Sequence, residues 1–271
     1  VVANQTTDAK GKLSFSNLLL GSYKVVEVTA PAGYTVADAQ NVTLTTDAPN
    51  GTLAFKDSLA RTSIPVTKIW SDTNNQDGTR PESVSFTLIR NGKATDTKLT
   101  LTKAKNADAQ DPNTWKGAFT NLPATTTADE TVDGKTIPAG TAISYGVEED
   151  AISASAGYTA TTSGSVTEGF TVTNTRTPDT VSVDVTKTWV GILPETASPV
   201  TVRLLANGKD TGKTQELTSD NAWSASFSDL AKNEAGKAIT YTVVEDGASN
   251  GKITLAGIDY TVAVKEENSS G

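Results

Sequence analysis

Three polar side chains stand in rows that should bury apolar ones. Lys68 continues Ile64-x-Val66-x-Lys68-x-Trp70, Glu149 continues Tyr145-x-Val147-x-Glu149, and Asn174 continues Phe170-x-Val172-x-Asn174. Strand side chains alternate between faces, so a residue two positions beyond a buried one points the same way. An amine, a carboxyl and a carboxamide are therefore aimed into a core, where each alone carries a heavy desolvation cost. Desolvation lowers the tendency of a lysine to hold its proton and raises that of a glutamate. A neutral amine is a nucleophile, and a protonated carboxyl can polarise the Asn174 carbonyl and pass protons to departing ammonia. The product is a Lys–Asn amide, made once, and plausible without an external enzyme because held groups reach effective molarities of about 10⁵ M or more. This chemistry requires the first, penultimate and last strands of one sandwich to converge on a dry pocket walled by Trp70, Tyr145 and Phe170.

The elements that must position these groups are written more than once. Thr67-Lys68-Ile69-Trp70 returns as Thr186-Lys187-Thr188-Trp189, and Val84-x-Phe86-x-Leu88 with Asn91-Gly92 returns as Val200-x-Val202-x-Leu204 with Asn207-Gly208. Trp115-x-x-x-Phe119 matches Trp223-x-x-x-Phe227, and Tyr145-x-Val147-x-Glu149 matches Tyr241-x-Val243-x-Glu245. The N-terminal stretch carries only the later half of the pattern, with Tyr23-x-Val25-x-Glu27 and Leu53-x-Phe55-x-Asp57. A repeat of this kind marks tandem units. The expected division is 1–59 as a unit without its front strands, 60–178 as a complete unit, and 179–271 as a unit without its last strand. Asn-Gly turns, short alternating runs and abundant Thr and Val predict an all-β chain, and the short linkers predict limited bending between units.

The chain has 271 residues, a net charge of −8, and no histidine, cysteine or methionine. That composition removes disulfides, thiol nucleophiles, serine triads and the usual zinc sites. An acidic chain with dispersed lysines offers no basic stripe for nucleic acid, and no apolar run reaches the roughly 18 residues of a membrane span. No cofactor or metal is expected. The Asp72-x-Asn74-Asn75-Gln76-Asp77-Gly78 stretch departs from a calcium loop, because Asp77 occupies the glycine place and Glu82 falls short of the bidentate one. It reads as an Asx-rich turn. The starting residue and the missing last strand suggest a fragment of a longer protein.

Val66-Thr-Lys68-Ile-Trp70, Asp77-Gly-x-Arg80-Pro81, Tyr145-x-Val147-x-Glu149 and Phe170-Thr-Val172-Thr-Asn174 together resemble the B-type repeat domains of collagen adhesins, found in Gram-positive surface proteins and pilins. Tyr23-x-Val-x-Glu27 with Ala30-Pro31-x-Gly33-Tyr34 looks like a pilin E-box. The resemblance implies tandem prealbumin-like, reversed immunoglobulin β-sandwiches, each clamped by a self-formed isopeptide bond. Carried over by position, Lys68 and Asn174 are the crosslink and Glu149 promotes it. Lys187 and Glu245 form an incomplete site whose acceptor would lie beyond Gly271. Glu27 and Asp57 form another, with Asp57 at the acceptor position and the lysine outside this chain.

The function that follows is a stalk or pilus-shaft segment of an extracellular, wall-anchored or pilus protein, monomeric in isolation and not an enzyme on outside substrates. The alternative is a host-ligand-binding adhesin module. Its partners would be an extracellular-matrix protein or other pilus subunits, and the Lys103 to Pro138 stretch, longer than its counterpart in the third unit, is where a ligand would be sought.

Overall fold

A computed structural model describes residues 4–152, 154–191, 199–255 and 257–265. Among the described residues the regular structure is nearly all strand, with a helical turn at Lys103–Asn106 and a 3₁₀ turn at Ala154–Ala156. Among the described residues no helix is long and apolar enough to cross a membrane.

The middle stretch forms two sheets. One holds Thr159–Ser165, Gly169–Thr175, Arg61–Ser71 and Thr114–Pro123 in that order, and the other holds Tyr145–Glu149, Ser83–Arg90 and Lys93–Thr102. The Lys68 and Asn174 strands are parallel neighbours, with Val172 opposite Lys68 and Asn174 opposite Trp70. Parallel pairing of first and last strands places their inward side chains side by side across one ladder spacing, about 4.8 Å. Between the sheets lies a single core of Ile64, Val66, Trp70, Phe86, Leu88, Leu101, Trp115, Phe119, Tyr145, Val147 and Val172. Asn91 and Gly92 turn the hairpin at φ 49° and 80°. Both lie in the left-handed region that an Asn-Gly hairpin turn requires.

One expectation needs correction, that the Glu149 strand is the penultimate one. The strand before the Asn174 strand is Thr159–Ser165, at the edge of the same sheet. The Glu149 strand sits in the opposite sheet, paired with Ser83–Arg90. The three groups therefore meet across the sandwich. The Thr- and Ser-rich run 159–165 has too few apolar residues to announce itself as a strand; backbone pairing alone forms it.

The third stretch repeats the pattern. Thr180–Thr186 pairs with Ser224–Ala231, and Val200–Ala206 lies between Lys209–Leu217 and Tyr241–Glu245. Its core is Val200, Val202, Leu204, Leu217, Phe227 and Leu230, with Trp189 and Trp223 packed against it. In the N-terminal stretch Gly21–Val25 pairs with Gln40–Leu44, and Tyr34–Thr35 with Ser58–Leu59.

A carboxylate couples the middle stretch to the third. Asp77, nearly buried, accepts from Asn233 Nδ2 at 3.0 Å, from the Asp179 amide at 2.9 Å and from Arg176 Nη1. Gly236 N donates to Gln76 O at 2.9 Å. A Cβ on Gly78 would fall 2.5 Å from Gly236 Cα, so backbone meets backbone there. Burial works against the Asp77 charge, but the bonds from Asn233, Asp179 and Arg176 prevail and hold its carboxyl below the usual range. A depressed carboxyl pKa stabilises above the unfolded value, about 3.9, and that contribution is lost as pH falls through the folded value. Charge-assisted bonds of this kind are worth about 1.5–3 kcal/mol each. Asp77→Ala is expected to speed tryptic cleavage after Arg176 by about tenfold or more at neutral pH. An unchanged cleavage rate would show that Asp77 does not hold the joint.

Candidate functional site: a buried lysine, glutamate and asparagine

Lys68 is 0% exposed and Asn174 1%, and the Glu149 side chain is 6% exposed. Glu149 Oε1 lies 3.5 Å from Lys68 Nζ and accepts from Asn174 Nδ2 at 3.3 Å. One carboxylate oxygen thus faces both prospective reactants. Lys68 Nζ also donates to Ile69 O at 3.2 Å and to Val172 O at 3.3 Å. The second of these carbonyls belongs to the Asn174 strand, so the amine already leans across the ladder. Trp70 covers it, with Nζ 4.4 Å from the ring centroid. Tyr145 belongs to the same core and Phe170 packs against it, half-buried.

Desolvation pulls the Lys68 amine down to about 8, against the opposing pull of Glu149. The same desolvation pushes the Glu149 carboxyl up, against Lys68 and Asn174. Both shifts favour the neutral pair over the ion pair. The Asn174 carboxamide turns its nitrogen to Glu149, and its buried Oδ1 has no hydrogen-bond partner among the described residues. With Glu149 ionised that is the orientation a carboxylate demands. Once the carboxyl takes the lysine proton, a half-turn of the amide lets Oδ1 accept it and removes the unsatisfied acceptor.

The other sequence-derived groups are placed differently. Lys187 Nζ makes a 2.6 Å ion pair with Glu245 Oε2, and Glu245 Oε1 is buried without a hydrogen-bond partner among the described residues. The Lys187 amine lies 4.8 Å from the Trp189 ring, repeating the Lys68–Trp70 contact. Trp189 meets Trp223 and Tyr260 edge-on at 5.2 and 5.4 Å, as Trp70 meets Trp115 and Tyr158 at 5.2 and 5.1 Å. In the N-terminal stretch Glu27 Oε2 accepts from Ala37 N at 2.7 Å. Sharing a hydrogen bond with Glu27 pushes the Asp57 carboxyl up, so these two carboxyls do meet.

A second ion pair, overlooked in the sequence, lies behind Trp70. Arg80 Nε and Nη2 donate to Asp72 at 3.0 and 2.5 Å, and Tyr158 OH donates to Asp72 Oδ2 at 2.7 Å. Asp72 also caps Asn75 N at 3.0 Å, which is the Asx turn expected of this stretch. Its signal was available: Asp72 follows Trp70 by two positions on the same inward row.

The Cna protein B-type domain model matches residues 64–175 and 183–269, more than half of the chain. The chain belongs to the Cna B-type family. A second model, the prealbumin-like fold domain, matches residues 1–58. A collagen adhesin of Staphylococcus aureus is 34% identical over 234 residues, which is 84% of this chain and 18% of that protein. This Cna B-type chain thus spans about a fifth of the length of that relative. The solved structure of two B repeat units of the Staphylococcus aureus collagen binding protein is 26% identical, with TM-score 0.54, covering 86% of this chain and 70% of that one. A single B repeat unit of the same protein is 32% identical, with TM-score 0.30, covering 72% and 91%. Tandem prealbumin-like β-sandwiches are therefore the fold class of this Cna B-type chain.

Proposed function

We propose that this chain is a load-bearing stalk or pilus-shaft segment of an extracellular Gram-positive adhesin, in which the unit spanning 60–178 is clamped by a Lys68–Asn174 isopeptide bond. The observation that carries the reading is the sharing of one buried Glu149 oxygen by Lys68 and Asn174. Proton transfer from Lys68 to Glu149 frees the amine. Nζ attacks Asn174 Cγ while the protonated carboxyl donates to Oδ1, and the Nζ–Cγ bond forms. The surplus Nζ proton passes through Glu149 to Nδ2, the Cγ–Nδ2 bond breaks, and ammonia leaves. No oxidant, metal or external substrate enters the balance. Membership of the Cna B-type family and the collagen adhesin relative support the surface location. Matrix proteins or neighbouring pilus subunits are the partners this role brings.

A bond between the first and last strands places the load on a covalent link instead of on ladder hydrogen bonds. Pulled from its ends in a single-molecule force experiment, the middle unit is expected to show no unfolding extension. Lys68→Ala should restore extension of the full unit, and extension of the unsubstituted unit at ordinary unfolding forces would refute the clamp.

The Lys103 to Pro138 stretch, where the alternative reading of a ligand-binding module would seek its site, holds short ordered elements. It contains the Thr114–Pro123 strand and the Glu130–Val132 and Lys135–Ile137 hairpin, tied by Arg90 to Glu130 at 2.5 Å. A Cβ on Gly33 would lie 2.7 Å from Thr127 Cγ2, so this stretch also abuts the N-terminal one.

A further inference from the structure

We propose that Asp72 and Arg80 form a positioning element for Lys68, setting the electrostatic surroundings of its amine across the shared wall of Trp70. The inference rests on the reading of Lys68 and Asn174 as a bond-forming pair. Three observations carry it.

The first is placement. Ile64, Val66, Lys68, Trp70 and Asp72 occupy alternate positions of one inward row and are all buried. The Trp70 ring has Lys68 Nζ 4.4 Å from its centroid and Arg80 Cζ 5.3 Å from it. The amine and the guanidinium therefore lie against the same indole.

The second is over-determination. Arg80 holds Asp72 through two donors and also reaches Asn113 Oδ1 at 2.8 Å, while Tyr158 and Asn75 N hold the same carboxylate. The two side chains are only 6% and 3% exposed. A buried ion pair is seldom worth more than apolar packing of the same volume. One fixed this firmly invites a role other than stability. Beyond Glu149, Arg80 works against protonation of the Lys68 amine and Asp72 works for it.

The third is the comparison within the chain. By alignment of the repeats, Gly191 stands where Asp72 does and Thr196 where Arg80 does. The sequence of the third stretch keeps Lys187, Trp189 and Tyr260 and has neither an aspartate nor an arginine at those two positions. There the lysine closes on its glutamate at 2.6 Å, whereas Lys68 stands 3.5 Å from Glu149. The pair that lacks a neighbouring guanidinium in its sequence row is the closer of the two.

The test is the rate of bond formation in the full chain, made by cell-free translation at neutral pH, quenched in acid at intervals and followed by intact mass. Arg80→Met leaves Asp72 unbalanced and is expected to slow the loss of ammonia by about threefold to tenfold, the equivalent of half to one pKa unit. Asp72→Asn leaves Arg80 unbalanced and is expected to speed it. Arg80→Lys, which keeps the cation, should stay closer to the parent rate than Arg80→Met. The Arg80→Met/Asp72→Asn double variant leaves no ion buried alone, so it keeps the comparison usable if Arg80→Met does not fold. It should react more slowly than Asp72→Asn by itself. A merely structural pair would slow the reaction in every variant, and equal slowing in all of them, or no change in any, overturns the proposal. Absence of mass loss in the unsubstituted chain overturns the bond reading, and this inference with it. Mass loss there combined with same-direction effects overturns this inference alone.

Discussion

The intact chain is expected to weigh one ammonia less than its sequence, and Lys68→Ala to restore the calculated mass. Digestion should yield a branched peptide joining the Lys68 and Asn174 segments. Asn174→Ala should match Lys68→Ala in mass behaviour, since either change removes one half of the same bond. The thermal effect should be large. A crosslink that closes a loop of roughly 100 residues restricts the unfolded chain by about 5 kcal/mol in the chain-entropy account. In a unit of this size each kcal/mol corresponds to about 4 °C, so the variants should melt about 20 °C lower. The two variants need not agree further. Lys68→Ala removes a buried ion along with its stem, whereas Asn174→Ala strands Lys68 with Glu149 alone, so the balance of packing against charge differs. A full-mass parent chain whose melting is unmoved by Lys68→Ala would dismiss the crosslink.

Much of this architecture is written in alternation. Ile64, Val66, Lys68 and Trp70 predict an inward row without any knowledge of neighbours, and all four are buried. The Asn91-Gly92 and Asn207-Gly208 turns are local chemistry, so they too can be read directly, and all four residues adopt positive φ. What alternation does not show depends on distant partners or on residues that serve two roles. Asp72 obeys the same parity as Lys68, but its position at the head of an Asx-rich run made it look like a turn residue; it is both. Arg80 approaches Trp70 only because the 72–80 turn folds back, a path that spacing does not encode. Asp77 looks like one more turn residue until Asn233, more than a hundred positions away, is found donating to it. The sheet that carries Glu149 is likewise not encoded in spacing. Parity fixes which face a side chain occupies and says nothing of which sheet its strand joins.

Glu149→Gln should be more damaging to stability than loss of the bond alone, and the reason is the lysine it leaves behind. Without a carboxyl to donate to Asn174 Oδ1 and carry a proton to Nδ2 no bond forms, and Lys68 stays uncrosslinked in a pocket where it is wholly unexposed. Breaking a buried pair by removing one partner costs about 3–5 kcal/mol, because the remaining charge is uncompensated. That cost adds to the lost crosslink. Lys68→Met introduced into the Glu149→Gln background removes the stranded ion while filling similar space, so the double variant should regain several kcal/mol without recovering the mass loss. The single variant should also show a distinctive pH response. Glu149 is the largest influence that raises the Lys68 pKa, which stands at about 8 in its presence, so the amine falls lower still once Glu149 is neutral. A lysine depressed in the folded state and ordinary, near 10.4, in the unfolded state binds more protons when unfolded between those values. Stability of Glu149→Gln should therefore climb with pH from below 8 toward 10.4, and the Lys68→Met double variant should lack that climb. Urea titrations at pH 6 and pH 9 measure both effects, and equal stability of the single and double variants at both pH values would mean that Lys68 carries no buried charge for Glu149 to balance.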